Sequence, residues 1–198
     1  MRGMTLVSRS AAPADDSTDA QPRTAAEPRL GPRANAATAF GATLAAFGTV
    51  ASRGLDGQGV TLAGAAAVLV VLAAIDLHRR LIPNRIVLPA VGLVLAGQLA
   101  FEPHHWVEWT VAAVGAAAFF GVAHAVYREG IGMGDVKLAL LLGAALGWAV
   151  VNGLLIGSLL AAAFGAYLLL RKGTAARKET IPFGPFLAAG ALAILFFG

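Results

Sequence analysis

The chain contains no cysteine. Disulfides, Cys-based zinc sites and thiol nucleophiles are therefore excluded. Charge is scarce as well: 13% of the 198 residues are Asp, Glu, Lys or Arg, against about 25% in ordinary soluble domains. That leaves too few polar side chains to clothe a soluble domain of this size. There are four histidines, His78, His104, His105 and His124, and none forms the HExxH pair of a zinc peptidase. The net charge of +4 and the isoelectric point near 10.1 do not indicate a nucleic-acid partner, because the basic residues cluster beside apolar runs, as in the cytoplasmic loops of membrane proteins.

What the sequence has in abundance is apolar length. Hydrophobic residues make up 58% of the chain and the mean hydropathy is +0.73. Apolar segments fall at 36–51, 60–75, 86–101, 107–127, 136–149, 151–170 and 185–198. This pattern predicts an all-α polytopic membrane protein of six to seven transmembrane helices. Several segments are shorter than the ~20 residues of a usual span, so the bilayer thins around them or the helices run into the loops. The joint near 147–152 reads either as a tight turn between two helices or as one long span with a re-entrant piece, with Asn152 as a turn residue far from any chemistry. Residues 1–35, rich in Ala, Pro, Asp, Ser, Thr and Arg, read as a disordered cytoplasmic tail ahead of a membrane domain at 36–198. No cleavable signal peptide is expected at Met1, where the apolar stretch is missing.

With seven spans, every Lys and Arg except Arg53 falls on the side of the N-terminus. The positive-inside tendency makes that side cytoplasmic and places FEPHHWVEW on the outer face. The 24 glycines suit close helix packing.

Two acidic residues stand where apolar runs meet these cytoplasmic loops. Asp76 follows GAAAVLVVLAAI and opens DLHRRLIPN. Asp135 closes GIGMGD and opens VKLALLLGAALG. Each is expected at the cytoplasmic end of a helix, where packing could bring them together across the intervening sequence. Paired carboxylates suit peptide hydrolysis: one takes a proton from water and the other gives a proton to the scissile carbonyl. Two neighbouring carboxyl groups share one proton because both charges together are unfavourable, so acid and base are assigned to the pair and not to its members. The plain structural alternative is that Asp135 caps a helix.

Around them, Gly130, Gly132 and Gly134 free the backbone and admit close approach. Pro83 restrains the segment after Asp76, and Asn84 is a candidate cap for the third helix. Lys137 supplies a nearby positive charge. Arg128 and Glu129 flank the glycines as candidate substrate contacts. His78, Arg79 and Arg80 are placed to meet lipid head groups.

DLHRRLIPN at 76–84 and GMGDVKL at 132–138 together resemble the type IV prepilin peptidase family. IPFGPFLAAG at 181–190 is similar to that family's C-terminal region, where Ile181, Pro182, Phe183, Gly184 and Pro185 shape the entrance of the final helix. The resemblance covers about residues 60–198. It implies a GxGD-type aspartyl peptidase core, with Asp76 and Asp135 as the catalytic dyad and Gly132, Gly134, Pro83, Asn84, Lys137 and Glu129 positioning the backbone or substrate. The implied substrates are prepilin-like or Flp-type proteins, with a short basic leader cleaved after Gly and a hydrophobic helix beyond. The implied place is the cytoplasmic face of the inner membrane, in contact with lipid, with no metal or organic cofactor. Without cysteines, the chain resembles the short peptidase-only form of the Flp/Tad or archaeal kind, so no methyltransferase activity is expected. A homo-oligomer stays open. A small transporter or channel component would instead carry ionisable residues near the membrane midplane, and a non-catalytic assembly protein would have no use for the acidic pair.

Overall fold

The computed structural model describes residues 32–79, 81–128, 131–173 and 182–198. Among the described residues every regular element is helical: α1 Pro32–Arg53, α2 Gly57–Arg79, α3 Asn84–Phe101, α4 Trp106–Val126, α5 Met133–Leu146, α6 Val150–Lys172 and α7 Gly184–Phe197. Single 3₁₀ turns at Pro103–His105 and Gly147–Ala149 lead into α4 and α6. Residues 1–31 of the expected tail lie outside the described residues. Its last four, 32–35, instead form the start of α1, whose helix begins before its apolar stretch does.

Five stretches are long and apolar enough to cross a membrane: Ala34–Arg53, Gly57–Arg79, Asn84–Phe101, Pro103–Val126 and the 40-residue Met133–Lys172. Forty helical residues would rise about 60 Å, twice the ~30 Å of bilayer hydrocarbon. The last stretch therefore divides, and it does so at Gly147, whose φ of 56° is a left-handed value that glycine adopts without steric cost. Of the two readings of this joint, the turn between helices is the one found. Asn152 lies inside α6, in its first turn, at the end of the bundle away from Asp135.

Close contacts fix how the helices run. Thr61 faces Gly97 and Phe101 faces Gly57, so α2 and α3 are antiparallel. Val136 faces Gly121, and Ala112 and Ala113 face Gly143, so α4 and α5 are antiparallel too. Leu187 lies on Gly157 and Ala191 on Gly153, giving the same relation for α6 and α7. The result is an up-and-down bundle. One end holds Asp76, Asn84, Asp135, Lys172 and Gly184, and the other holds Arg53, Phe101, Glu108 and Gly147. Arg53 closes that far end, donating from Nε to the Leu195 carbonyl at 3.2 Å and from an Nη to Ile194 at 3.1 Å. A cation there satisfies the last carbonyls of α7.

Outward faces carry large apolar side chains such as Phe40, Phe47, Leu93, Phe119 and Leu159, as lipid contact requires. Inward faces mix Leu69, Leu72, Leu138, Leu142 and Leu187 with small residues. Helices in lipid gain little from burying apolar surface against one another, so close packing of small residues holds them together. A Cβ on Gly143 would stand 2.4 Å from the Ala112 carbonyl oxygen and 2.5 Å from Ala113 Cα. Backbone of that kind cannot step aside. Gly143→Ala is expected to push α4 off α5 and cost about 1–3 kcal/mol by overpacking. The check is a lower thermal midpoint of the detergent-solubilised protein beside Gly115→Ala, where the added methyl meets open space.

Candidate active site

α2 ends with the turn that carries Asp76, and α5 begins with the turn that carries Asp135. Both aspartates lie at one end of the bundle, 7% and 8% exposed respectively, each beside the start of a helix. Charged residues are rarely buried to this degree without compensation. Here the compensation comes from helix starts. The first N–H groups of a helix have no partner within it. The Gly184 N–H at the start of α7 donates to Asp76 Oδ2 at 3.1 Å. The Gly132 N–H donates to Asp135 Oδ2, also at 3.1 Å, as in the reciprocal half of a capping box. The expected capping role of Asp135 is thus present in modified form: Gly132 is the cap residue, and Asp135 reaches back to it from the third helical position.

The two short helices, α5 and α7, have 14 residues each and rise about 21 Å, less than the hydrocarbon thickness. The first turns of these two helices are the ones that meet Asp135 and Asp76.

In the linker between α2 and α3, Ile82 packs on the start of α5. Ile82 is buried and packs where a Cβ on Gly134 would stand, 3.1 Å from Ile82 Cβ. The missing side chain of Gly134 makes room for Ile82. Pro83 is the N-cap residue of α3, with φ −73° and ψ 127°, the extended geometry that ends the linker. Asn84 does not cap α3. It is the first residue within the helix, past the position where a cap must sit, and its Oδ1 accepts a hydrogen bond from Lys137 Nζ at 2.6 Å. This bond ties the start of α3 to the N-terminal part of α5, 53 residues apart. Phe183, just before Gly184, stacks on Phe120 with ring centroids 6.1 Å apart. His78 turns back onto its own helix, its Nδ1 2.8 Å from the Ala74 carbonyl. Arg128 is exposed at the same end, whereas Arg80, Glu129, Gly130 and Ile181 lie outside the described residues. Among the described residues no group of three or more His, Asp or Glu is arranged to hold a metal ion.

Two contributors escaped the sequence reading. Gly184 was expected only to shape a helix entrance, yet it holds Asp76. His124 had no assigned role, yet its Nδ1 lies 2.6 Å from the Ile131 carbonyl, in the segment leading to Asp135.

Fold and site together define a multi-pass membrane protein that keeps two buried carboxyl groups at one end of its helical bundle. The model of the Type IV leader peptidase family matches residues 63–170, a stretch that includes both aspartates, and the chain belongs to that family. It is similar to the prepilin leader peptidase/N-methyltransferase of Burkholderia pseudomallei (strain K96243), 36% identical over 164 residues, covering 77% of this chain and 51% of that protein. The proteins of the same description in Bacillus subtilis (strain 168) and Aeromonas salmonicida (strain A449) are 31% and 40% identical, over 131 and 139 residues. These matches cover 66% and 65% of this chain, and 52% and 46% of the relatives. The chain thus spans about half the length of the curated relatives it matches. No solved structure matches it.

Proposed function

We propose that this chain is a membrane aspartic endopeptidase that removes the short basic leader of prepilin-like or Flp-type proteins, cutting after Gly. Asp76 and Asp135 act as one unit. A water between the carboxylates loses a proton to one of them and attacks the scissile carbonyl carbon. The other carboxyl group gives its proton to the carbonyl oxygen. The tetrahedral intermediate then collapses: the C–N bond breaks as the amine takes up a proton from the pair, and one hydroxyl of the intermediate returns its proton to the pair as the new carboxylic acid forms. The observation that carries this reading is the pair itself, two buried carboxyl groups at one end of the bundle, each accepting from a backbone N–H at a helix start. A site at a bundle end suits a substrate whose leader is polar and whose next segment is a membrane helix.

The basic residues Arg79, Arg85, Arg128, Lys137, Arg171 and Lys172 belong to the same end as the aspartates, and Arg53 to the other. By the positive-inside tendency this reading sets the site at the cytoplasmic face of the inner membrane, with the N-terminus on the same side. Pro83, Asn84 and Lys137 hold the α2–α3 linker against α5, Gly132 and Gly134 shape the approach to Asp135, and Glu129 and Arg128 are assigned to the leader. No metal or organic cofactor takes part in the reaction as written. The proposal covers the peptidase activity alone of the two activities in the relatives' description.

The test is co-expression with a prepilin from the same genome, followed by mass spectrometry of the product's N-terminus, beside a double Asp76→Asn/Asp135→Asn control at equal membrane level. The expected product begins at the residue after the leader Gly and is missing from the control. A product equally abundant in the control, or cleavage of no prepilin from that genome, overturns the proposal.

A further inference from the structure

Asp135 takes its backbone hydrogen bond from Gly132, and Gly132 lies in a glycine-rich segment whose backbone has more freedom than most. Something must hold that N–H in its direction. The peptide group that carries it also contains the Ile131 carbonyl, and the two are locked in one plane. Fixing the carbonyl end therefore aims the N–H end. The Ile131 carbonyl oxygen lies 2.6 Å from His124 Nδ1. A carbonyl oxygen only accepts, so Nδ1 carries the hydrogen in this contact. The same residue is held from its other side by its own N–H, which donates to the Tyr127 carbonyl at 3.3 Å.

We propose that His124 is a positioning residue for Asp135, acting through the Ile131–Gly132 peptide unit. The chain of contacts runs from His124 Nδ1–H to the Ile131 carbonyl, across the peptide plane, and from the Gly132 N–H to Asp135 Oδ2 at 3.1 Å. His124 sits in the last turn of α4, a helix packed along the length of α5, so it ties the glycine segment to a rigid support. A donor on the carbonyl also polarises the peptide and strengthens the hydrogen bond its N–H donates. The inference rests on the peptidase reading of Asp135. It adds a residue that touches neither water nor substrate and acts on the aim of one carboxylate.

The test compares wild type, His124→Phe and His124→Asn in steady-state cleavage of a purified prepilin, with membrane levels checked. Asn places an amide donor close to where Nδ1 stands, and Phe places none. Phe is expected to lower kcat about tenfold with KM nearly unchanged, the scale of a modest misalignment of a reacting group, and Asn is expected to return kcat to within about threefold of wild type. Nitrogen-15 NMR of the histidine-labelled wild type should show His124 with its hydrogen on Nδ1, as a backbone-carbonyl partner dictates. Full kcat in a well-inserted Phe variant, or Asn no better than Phe, overturns the proposal. So does an Nδ1 without hydrogen, a readout that stands even where the Phe variant fails to insert. A wild type that cleaves no prepilin removes the peptidase reading and the catalytic role with it, and the NMR signal then decides separately whether the loop contact exists.

Discussion

Asp76→Asn and Asp135→Asn are each expected to lower the rate of prepilin cleavage at least about a thousandfold, within the range that general acid–base groups contribute. The double variant is expected to be no worse than either single one. Residues that act as a unit lose most of their effect at the first removal, and two carboxylates that hand one proton between them are such a unit. Asparagine is the informative replacement because it keeps the shape. Its amide oxygen can still accept from the Gly184 N–H or the Gly132 N–H, the bonds that Asp76 and Asp135 make at 3.1 Å. Packing and insertion should therefore survive, and only the proton exchange is lost. Single-turnover cleavage at matched protein levels is the measurement. A single variant that keeps more than about a tenth of the wild-type rate takes that aspartate out of the chemistry, since so small a loss is well below what removal of an acid–base partner produces.

The second large effect is expected at a residue with no side chain. A Cβ on Gly184 would stand 2.6 Å from Asp76 Oδ2, 3.1 Å from its Cγ and 3.4 Å from its Cβ. Asp76 is buried and has little room to withdraw. It can yield only by turning its carboxylate away from the Gly184 N–H, which gives up the bond that aims it. Displacements of about 1 Å at a reacting group cost on the order of a hundredfold, and Gly184→Ala is expected to lose activity on that scale. The first turn of α7 otherwise tolerates alanine, so membrane levels should stay near wild type. Cleavage assayed beside Gly64→Ala, where an added methyl meets open space, separates the local effect from a general one. A fully active Gly184→Ala protein would mean that Asp76 works in another orientation.

The seven apolar runs correspond to seven α-helices among the described residues, because lipid demands continuous apolar length. The helix ends were less legible: α1 starts at Pro32 and α2 continues through Arg79, since helices extend into polar residues that hydropathy does not count. The turn at Gly147 needed the structure to choose between two readings, because glycines are too common in this chain for one with positive φ to stand out. Asp76 and Asp135 were legible as charged breaks at the edges of apolar runs. Their supports were not. Gly184 holds Asp76 from 108 residues away, and Lys137 holds Asn84 from 53 residues away; no local spacing rule connects such pairs. Asn84 looked like a cap because Asn often is one, but the chain entered the helix one residue earlier. His124 carried no motif at all, and only its place beside the Ile131 carbonyl gives it a role.

The bond from Gly184 to Asp76 also has a consequence in time. A ribosome delivers Asp76 to the membrane long before it has made Gly184, 108 positions later, and α3, α4, α5 and α6 are made in between. Throughout that interval the carboxylate waits without the donor that aims it. The buried end of α2 is thus completed only when α7 slides into place beside it.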